Sequence, residues 1–117
     1  MASSNEFQSV LRSDSLALIQ DGATLSNAVD LHGTVLIGIS LPAGFSGSSL
    51  TVQASTSYSG TYQQVRNTDN VAATITCAAG YFYALVPFDL AGCRYVKLQS
   101  NTTQSGDCTI TLVTRPI

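Results

Sequence analysis

Charged side chains are scarce in this sequence of 117 residues. Asp, Glu, Lys and Arg together make up 10% of the chain, against about 25% in a typical soluble domain. The formal net charge is −2, and the five Lys and Arg residues are scattered. Nucleic-acid binding depends on clustered basic side chains that face the phosphates. This composition therefore argues against a nucleic-acid-binding protein.

Long apolar runs are also missing, and we expect no secretory leader. No apolar run approaches the ~20 residues that a membrane-spanning helix needs. The opening stretch MASSNEFQSVLRSD is polar and has no cationic segment followed by an apolar one. We therefore expect a protein that is made in the cytoplasm and does not enter a membrane. In that compartment Cys77, Cys93 and Cys108 are expected to be reduced thiols. A Cys77–Cys93 or a Cys93–Cys108 bridge is the alternative.

No constellation of chemically active residues stands out. The chain has one histidine, His32, and no serine or cysteine in a nucleophile-elbow motif. The three cysteines lie about fifteen residues apart with no CxxC pair, which is not zinc spacing. There is also no calcium-loop pattern and no glycine-rich phosphate loop. We therefore predict that the protein is not an enzyme and has no catalytic residue, metal or cofactor.

What the sequence does contain is strict alternation of apolar and polar residues in short runs. Serine and threonine, 28 residues in all, supply most of the polar positions. In 34–41 the alternation places Val35, Ile37, Ile39 and Leu41 on one face. Eight runs are typical of β-strands: 15–20, 34–41, 49–55, 61–65, 72–77, 81–86, 94–99 and 108–115.

Proline- and glycine-containing turns separate these runs, and no window shows helical periodicity. We therefore predict an all-β fold, an antiparallel β-sandwich of the jelly-roll or immunoglobulin-like kind with about eight short strands. The length fits one domain over 14–117, preceded by a polar arm at 1–13. Phe7, Val10 and Leu11 are the apolar anchors that such an arm would offer a partner. A frayed terminus is the alternative.

The run 81–86 is apolar on both faces, although one face of an antiparallel sandwich usually meets water. Its second face needs a cover, either the loop at 87–92 or another subunit. Tyr81 and Tyr83 are therefore candidate residues for a subunit interface. The scarcity of charge points the same way, because isolated monomers usually protect sheet edges with lysine and other charges.

Tyr58 and Tyr62 flank the turn at Gly60 and offer a different interpretation. Exposed aromatic rings beside polar groups are typical of saccharide-binding platforms. Tyrosines beside a hairpin turn also pack commonly across strands, and tryptophan is absent here. Both interpretations stay open from the sequence.

The order of several segments resembles a family of small β-sandwich proteins that serve as capsid cement or decoration proteins of tailed bacteriophages. These segments are 28–33 (AVDLHG), 36–42 (LIGISLP), 50–55 (LTVQAS), 61–65 (TYQQV), 91–100 (AGCRYVKLQS) and 109–116 (TITLVTRP). The resemblance implies a structural virion protein, made in the host cytoplasm, that binds the outer surface of the shell of the major capsid protein and stabilises it. It also implies a homotrimer.

The strand RYVKL at 94–98 also resembles one in discoidin-like jelly rolls. That likeness supports the alternative of a glycan- or receptor-binding module in a phage fibre or tail.

Overall fold

The computed structural model of the chain describes residues 14–86 and 90–116. Within them the backbone forms nine strands that pair only in antiparallel fashion. The predicted all-β sandwich is therefore confirmed. The strands are β1 (Asp14–Ile19), β2 (Val29–Asp30), β3 (Thr34–Ser40), β4 (Ser49–Ser55), β5 (Gln63–Gln64), β6 (Thr74–Thr76), β7 (Phe82–Ala84), β8 (Tyr95–Ser100) and β9 (Cys108–Pro116).

Two sheets face each other. Sheet A has the order β1-β9-β3-β7, and sheet B has the order β2-β8-β4 with β5 and β6 both paired to the outer edge of β4. The pairing is nested: the first strand pairs with the last, the second with the one before the last, and so on inward to β4. A long hairpin rolled up in this way is a jelly roll, so the structure decides between the two predicted kinds of sandwich.

The core lies between the two sheets and follows the predicted alternation in most strands. In β4, Leu50 and Val52 are fully buried, while Thr51 and Gln53 are partly exposed. Complete burial of such a side chain stabilises the fold by about 1.5–3 kcal/mol. The largest fully buried apolar residues are Ile19, Leu31, Leu36, Ile39, Leu50, Leu98, Ile110 and Leu112.

One predicted facing is wrong. A β-bulge in β3 places Leu36 and Gly38 opposite the consecutive residues Thr114 and Val113 of β9. Ile37 is thus an extra residue, and the alternation changes phase there. Leu36 and Ile39 therefore pack in the core, whereas Val35 and Ile37, predicted to share a face with Ile39, do not join the main core cluster. Val35 is nevertheless buried, and Ile37 is partly exposed.

The strands around β4 are shorter than predicted, because two of them share one edge. β6 pairs with Ser49–Thr51 and β5 pairs with Gln53 and Ala54. Each has only part of β4 as a partner, so the runs 61–65 and 72–77 shrink to two and three residues. The two-residue strand β2 is too short to show a period and was not predicted.

Candidate interaction surfaces

The two sides of the sandwich differ. On one side, β1 and the segment before β2 are joined by Asn27, whose Oδ1 accepts a bond from Leu18 N at 2.7 Å. The Asn27 N–H in turn donates to Leu18 O at 3.2 Å. On the other side, a groove of about 440 Å³ separates β6 from β7. The groove-lining residues include Val71, Ile75, Tyr83, Leu85, Val86 and Leu90.

Exposed apolar side chains concentrate at this groove and at β7 beside it. Seven large apolar side chains are exposed in the described part of the chain, and four of them lie on or beside β7 or across the groove from it. We call these four residues the open side: Val71, Tyr81, Phe82 and Val86. Each is between 58% and 63% exposed. An apolar patch of this kind on a soluble domain is typical of an interaction surface.

Phe82 owes its position to a glycine on the neighbouring strand. A Cβ atom built on Gly38 would lie 2.6 Å from Phe82 Cζ, so only glycine leaves room for this ring. Gly38 pairs with Val113 of β9. Leu112 and Thr114, on either side of Val113, point into the core, so Val113 and its partner Gly38 face away from the core. The Phe82 ring therefore lies on the outer face of sheet A.

The two candidate interface residues of β7 are in different environments. Tyr81 is exposed, whereas Tyr83 is half-buried and packs against the core. The Tyr83 hydroxyl accepts a hydrogen bond from Ala78 N at 2.8 Å, and the two rings meet edge to face at 6.4 Å. Phe7, Val10 and Leu11 lie outside the described residues, as do positions 87–89 of the predicted covering loop.

Phe82 and Val86 were not among the interface residues predicted from the sequence, although the apolar run 81–86 contains both. The run 81–86 was recognised as apolar on both faces. Because Tyr83 and Leu85 pack inward, strict alternation puts Phe82, Ala84 and Val86 on the other face.

A second surface lies on the outer face of sheet B. Tyr95 and Lys97 of β8 alternate with the buried Val96 and Leu98, so their side chains leave the core. The turn after β4 brings Tyr58 and Tyr62 to the same place. We call Tyr58, Tyr62, Arg94, Tyr95 and Lys97 the tyrosine cluster.

Ring contacts hold the cluster together. The Tyr58 and Tyr95 rings meet edge to face with centroids 6.0 Å apart. Lys97 Nζ lies 4.5 Å from the Tyr62 ring centroid, and Arg94 Cζ lies 5.1 Å from that of Tyr95. Such cation–π contacts orient the cations as well as the rings. The structure therefore brings the predicted pair Tyr58 and Tyr62 together and adds three residues that were not predicted.

Tyr62 is fixed in place, whereas Tyr58 remains open. The Tyr62 hydroxyl donates to Tyr58 O at 2.6 Å, and Lys97 covers its ring. Burial, followed by the proximity of Tyr58, Tyr95 and Asp30, raises the pKa of Tyr62 above its ordinary value, so the hydroxyl keeps its proton. The Tyr58 hydroxyl donates to Ala28 O at 3.4 Å and its ring contacts Tyr95, but the side chain is 55% exposed and offers the accessible aromatic surface of the cluster.

Asp30 anchors one end of the cluster. Its Oδ1 accepts a bond from Arg94 Nε at 3.2 Å and from His32 N at 2.8 Å. His32 Nδ1 lies 3.6 Å from Oδ2. Partial burial raises the pKa of Asp30, but the His32 N–H and the Arg94 guanidinium outweigh it, so the pKa lies below its ordinary value. Asp30 is therefore an ionised partner of Arg94 at neutral pH.

The described residues contain no group of three or more His, Cys, Asp or Glu side chains that could hold a metal ion. All three cysteines are free. Among residues 14–86 and 90–116 no helix is long and apolar enough to cross a membrane. No protein-family model matches the chain, and no curated protein matches it either. The open side and the tyrosine cluster are therefore the two features of the molecule that point to a function.

Proposed function

We propose that the chain is a capsid cement or decoration protein of a tailed phage. It binds the outer surface of the shell formed by the major capsid protein, as a homotrimer, and stabilises that shell. The observation that carries the proposal is the open side, where Val71 and Val86 are exposed along the groove and Tyr81 and Phe82 are exposed beside or on β7. A partner that covers these four residues would close the groove between β6 of sheet B and β7 of sheet A.

The energetics suit a protein used in many copies. Burial of one Phe or Val side chain contributes about 1.5–3 kcal/mol, so four such residues support a modest contact. Repetition over a shell strengthens such contacts through avidity. Few charged groups would have to lose their hydration on docking, because charged residues are only 10% of the chain.

Capsids that lack the protein provide the test. The purified wild-type protein is expected to bind them and to raise the temperature at which they disrupt. F82S and V86S remove apolar surface from the open side without touching the buried core, so we expect occupancy to fall about tenfold. Y58S is the matched control, because Tyr58 is a similarly exposed aromatic residue in the turn after β4 of sheet B. Absence of wild-type binding, or equal losses for F82S and Y58S, would refute the proposal.

The same assay examines the segment 1–13 and the oligomer. Replacing Phe7, Val10 and Leu11 together by serine should reduce occupancy without changing the melting temperature of the isolated protein, because these residues are proposed to contact the capsid. Light scattering of the pure protein should give the mass of a trimer. A monomer at all concentrations would contradict the homotrimer.

A glycan- or receptor-binding role in a fibre or tail is the second candidate, and the tyrosine cluster favours it. Tyr58 presents a half-exposed ring beside donors and acceptors, the arrangement that saccharide stacking requires. Saturable binding on a glycan array that disappears in Y58A and weakens in Y62A would support this role. Failure of the protein to bind any saccharide would remove it and leave the cement proposal intact.

A further inference from the structure

We infer that the tyrosine cluster binds an acidic saccharide, with Tyr58 stacking on a sugar ring and Lys97 pairing with its anionic group. The inference names the ligand class for the second candidate role and rests on that role. It does not depend on the capsid proposal, because the cluster lies on sheet B and the open side centres on β7 of sheet A.

The charges of the cluster favour an anion. Arg94 and Lys97 are positive and Asp30 is negative, which leaves one positive charge in excess on a protein whose net charge is −2. The ion pairs among the described residues are Arg94–Asp30 and His32–Asp30. Lys97 takes part in neither, and its contact is with the Tyr62 ring. Its ammonium group therefore has donors available for a ligand.

The surrounding groups favour a sugar as the carrier of that anion. Tyr58 has an exposed ring. Gln53 of β4 and Gln99 of β8 carry amides on the same outer face as Lys97, and Gln53 Nε2 donates to Gln99 Oε1 at 3.1 Å. Gln53 pairs directly with Lys97 across the sheet. An aromatic face with amides and one cation matches a ring that has hydroxyls and a single acidic group. A nucleic acid would need several cations along its backbone.

The cluster is also held ready for binding. Tyr62 is fixed by its bond to Tyr58 O and by Lys97, and Tyr95 is fixed between Tyr58 and Arg94. Side chains that are already ordered lose little conformational entropy when a ligand arrives. Tyr62 and Tyr95 are thus positioning residues, whereas Tyr58 and Lys97 contact the ligand.

Calorimetric titration of the full chain tests the inference with four probes. These are tetragalacturonic acid, its fully methyl-esterified form, a sulfated heparin tetrasaccharide and a thymidine tetranucleotide. The ester keeps the sugar rings and removes only the charge. We expect the uronate, the sulfated sugar or both to bind more tightly than the ester, and the two acidic arms identify which anion is preferred.

Variants separate charge from stacking. K97Q should weaken binding of the acidic sugar roughly fivefold, the size of an exposed ion pair, while K97R should restore it. R115Q removes the same charge from sheet A and should change nothing. Y58A should abolish binding of all the sugars. Melting temperatures of the variants show that each one is folded.

Three outcomes would overturn the inference. The first is no binding of either acidic sugar at about 10 mM, a concentration that saturates a 1 mM site. The second is that neither acidic sugar binds more tightly than the ester, or that K97Q leaves the affinity for the acidic sugar unchanged. The third is tighter binding of the tetranucleotide than of any sugar. None of these outcomes alters the capsid assay, so failure here and failure of the cement proposal are distinguishable.

Discussion

The turn between β2 and β3 shows how single residues shape the tyrosine cluster. His32 and Gly33 both have left-handed backbone, with φ of 55° and 77°. The Asp30 carboxylate accepts the His32 N–H, which is an aspartate turn, and Thr34 N donates to Leu31 O at 3.0 Å. A non-glycine residue in this conformation costs about 1–2 kcal/mol. The strained turn at His32 is the one in which Asp30 Oδ1 accepts both the His32 N–H and Arg94 Nε.

Gly33, the second left-handed residue of this turn, allows the cost of the backbone conformation to be measured by itself. Gly33 has nothing within 4 Å of where a Cβ would stand, so G33A introduces no clash and tests the backbone alone. We expect it to lower the free energy of unfolding by about 1 kcal/mol. Gly44 also has open space but no left-handed φ, so G44A is expected to be neutral or stabilising by about 0.5 kcal/mol. Urea unfolding of both variants decides, and equal effects would contradict the prediction.

Asp30 predicts a dependence of stability on acid pH. Its pKa is lower in the folded protein than its ordinary value of 3.8. Its contribution to stability is therefore complete above about pH 4 and disappears as the pH falls through the lowered folded value. The difference in melting temperature between wild type and D30N should be largest near neutrality and should vanish at strongly acid pH.

Arg94 provides the control for this titration. In the R94Q background the D30N difference at neutral pH should be smaller, because the guanidinium no longer favours the ionised carboxylate. A difference that does not change with pH would show that Asp30 acts only through the geometry of its turn.

At the scale of elements, the sequence predicted strands well wherever a strand had a full-length partner. β4 and β9 pair along their whole length, and their alternation gave the correct buried residues. The failures have local causes. The bulge at Ile37 changes the phase within an apolar run. Gly38 beside it is a residue type that often marks a bulge, but strict alternation was applied across it. The lengths of β5 and β6 depend on how they divide the edge of β4, which is decided by tertiary pairing.

Loops at one end of the sandwich are joined by a single buried amide. Gln104 is 1% exposed, and its Oε1 accepts from Ser46 N at 2.9 Å. Its Nε2 donates to Ser46 O at 2.7 Å and also to Ser100 Oγ and Thr102 O. Q104A would remove the amide partners of Ser46 N and Ser46 O, whereas Ser100 Oγ and Thr102 O keep their bond to each other. We expect a loss of about 2 kcal/mol of unfolding free energy.

Q20A serves as the control for Q104A, because Gln20 is an exposed residue directly after β1. Its expected effect lies within about 0.5 kcal/mol of zero. Q104E keeps an acceptor for Ser46 N but loses the donors, so it should be destabilised as well. A Q104A variant as stable as Q20A would show that water replaces the amide without cost.

At the scale of the whole molecule, the fold class could be read from the sequence but the strand order could not. Alternation reports which face of a strand is buried and says nothing about which strands pair with it, so jelly-roll and immunoglobulin-like sandwiches could not be distinguished.

The composition of the two surfaces was also beyond the reach of sequence patterns. Tyr58 and Tyr62 are close in sequence and could be paired, whereas Tyr95 and Lys97 join them only through the β4–β8 pairing. Val71 and Val86 are 15 residues apart and line one groove only because the fold places β6 and β7, which belong to different sheets, on either side of it.

Two buried thiols allow separation of the sheets to be measured. Cys77 follows β6 of sheet B, Cys108 belongs to β9 of sheet A, and both side chains lie in the core between the sheets. Burial raises the pKa of each thiol and hides its sulfur. Reaction with a thiol reagent such as DTNB therefore requires the sheets to part. We expect the labelling rates of Cys77 and Cys108 to follow the fraction of globally unfolded protein as urea is added.

Cys93 is the internal control, because it is only half-buried and packs at the margin of the core. It should react first in the native protein, and C93S should remove this fast phase while leaving two slow ones. Because all three cysteines are free, a reducing agent should not change the free energy of unfolding. Fast labelling of Cys108 in the absence of urea would mean that the two sheets separate locally without global unfolding. The rigid sandwich assumed for both surfaces would then be wrong.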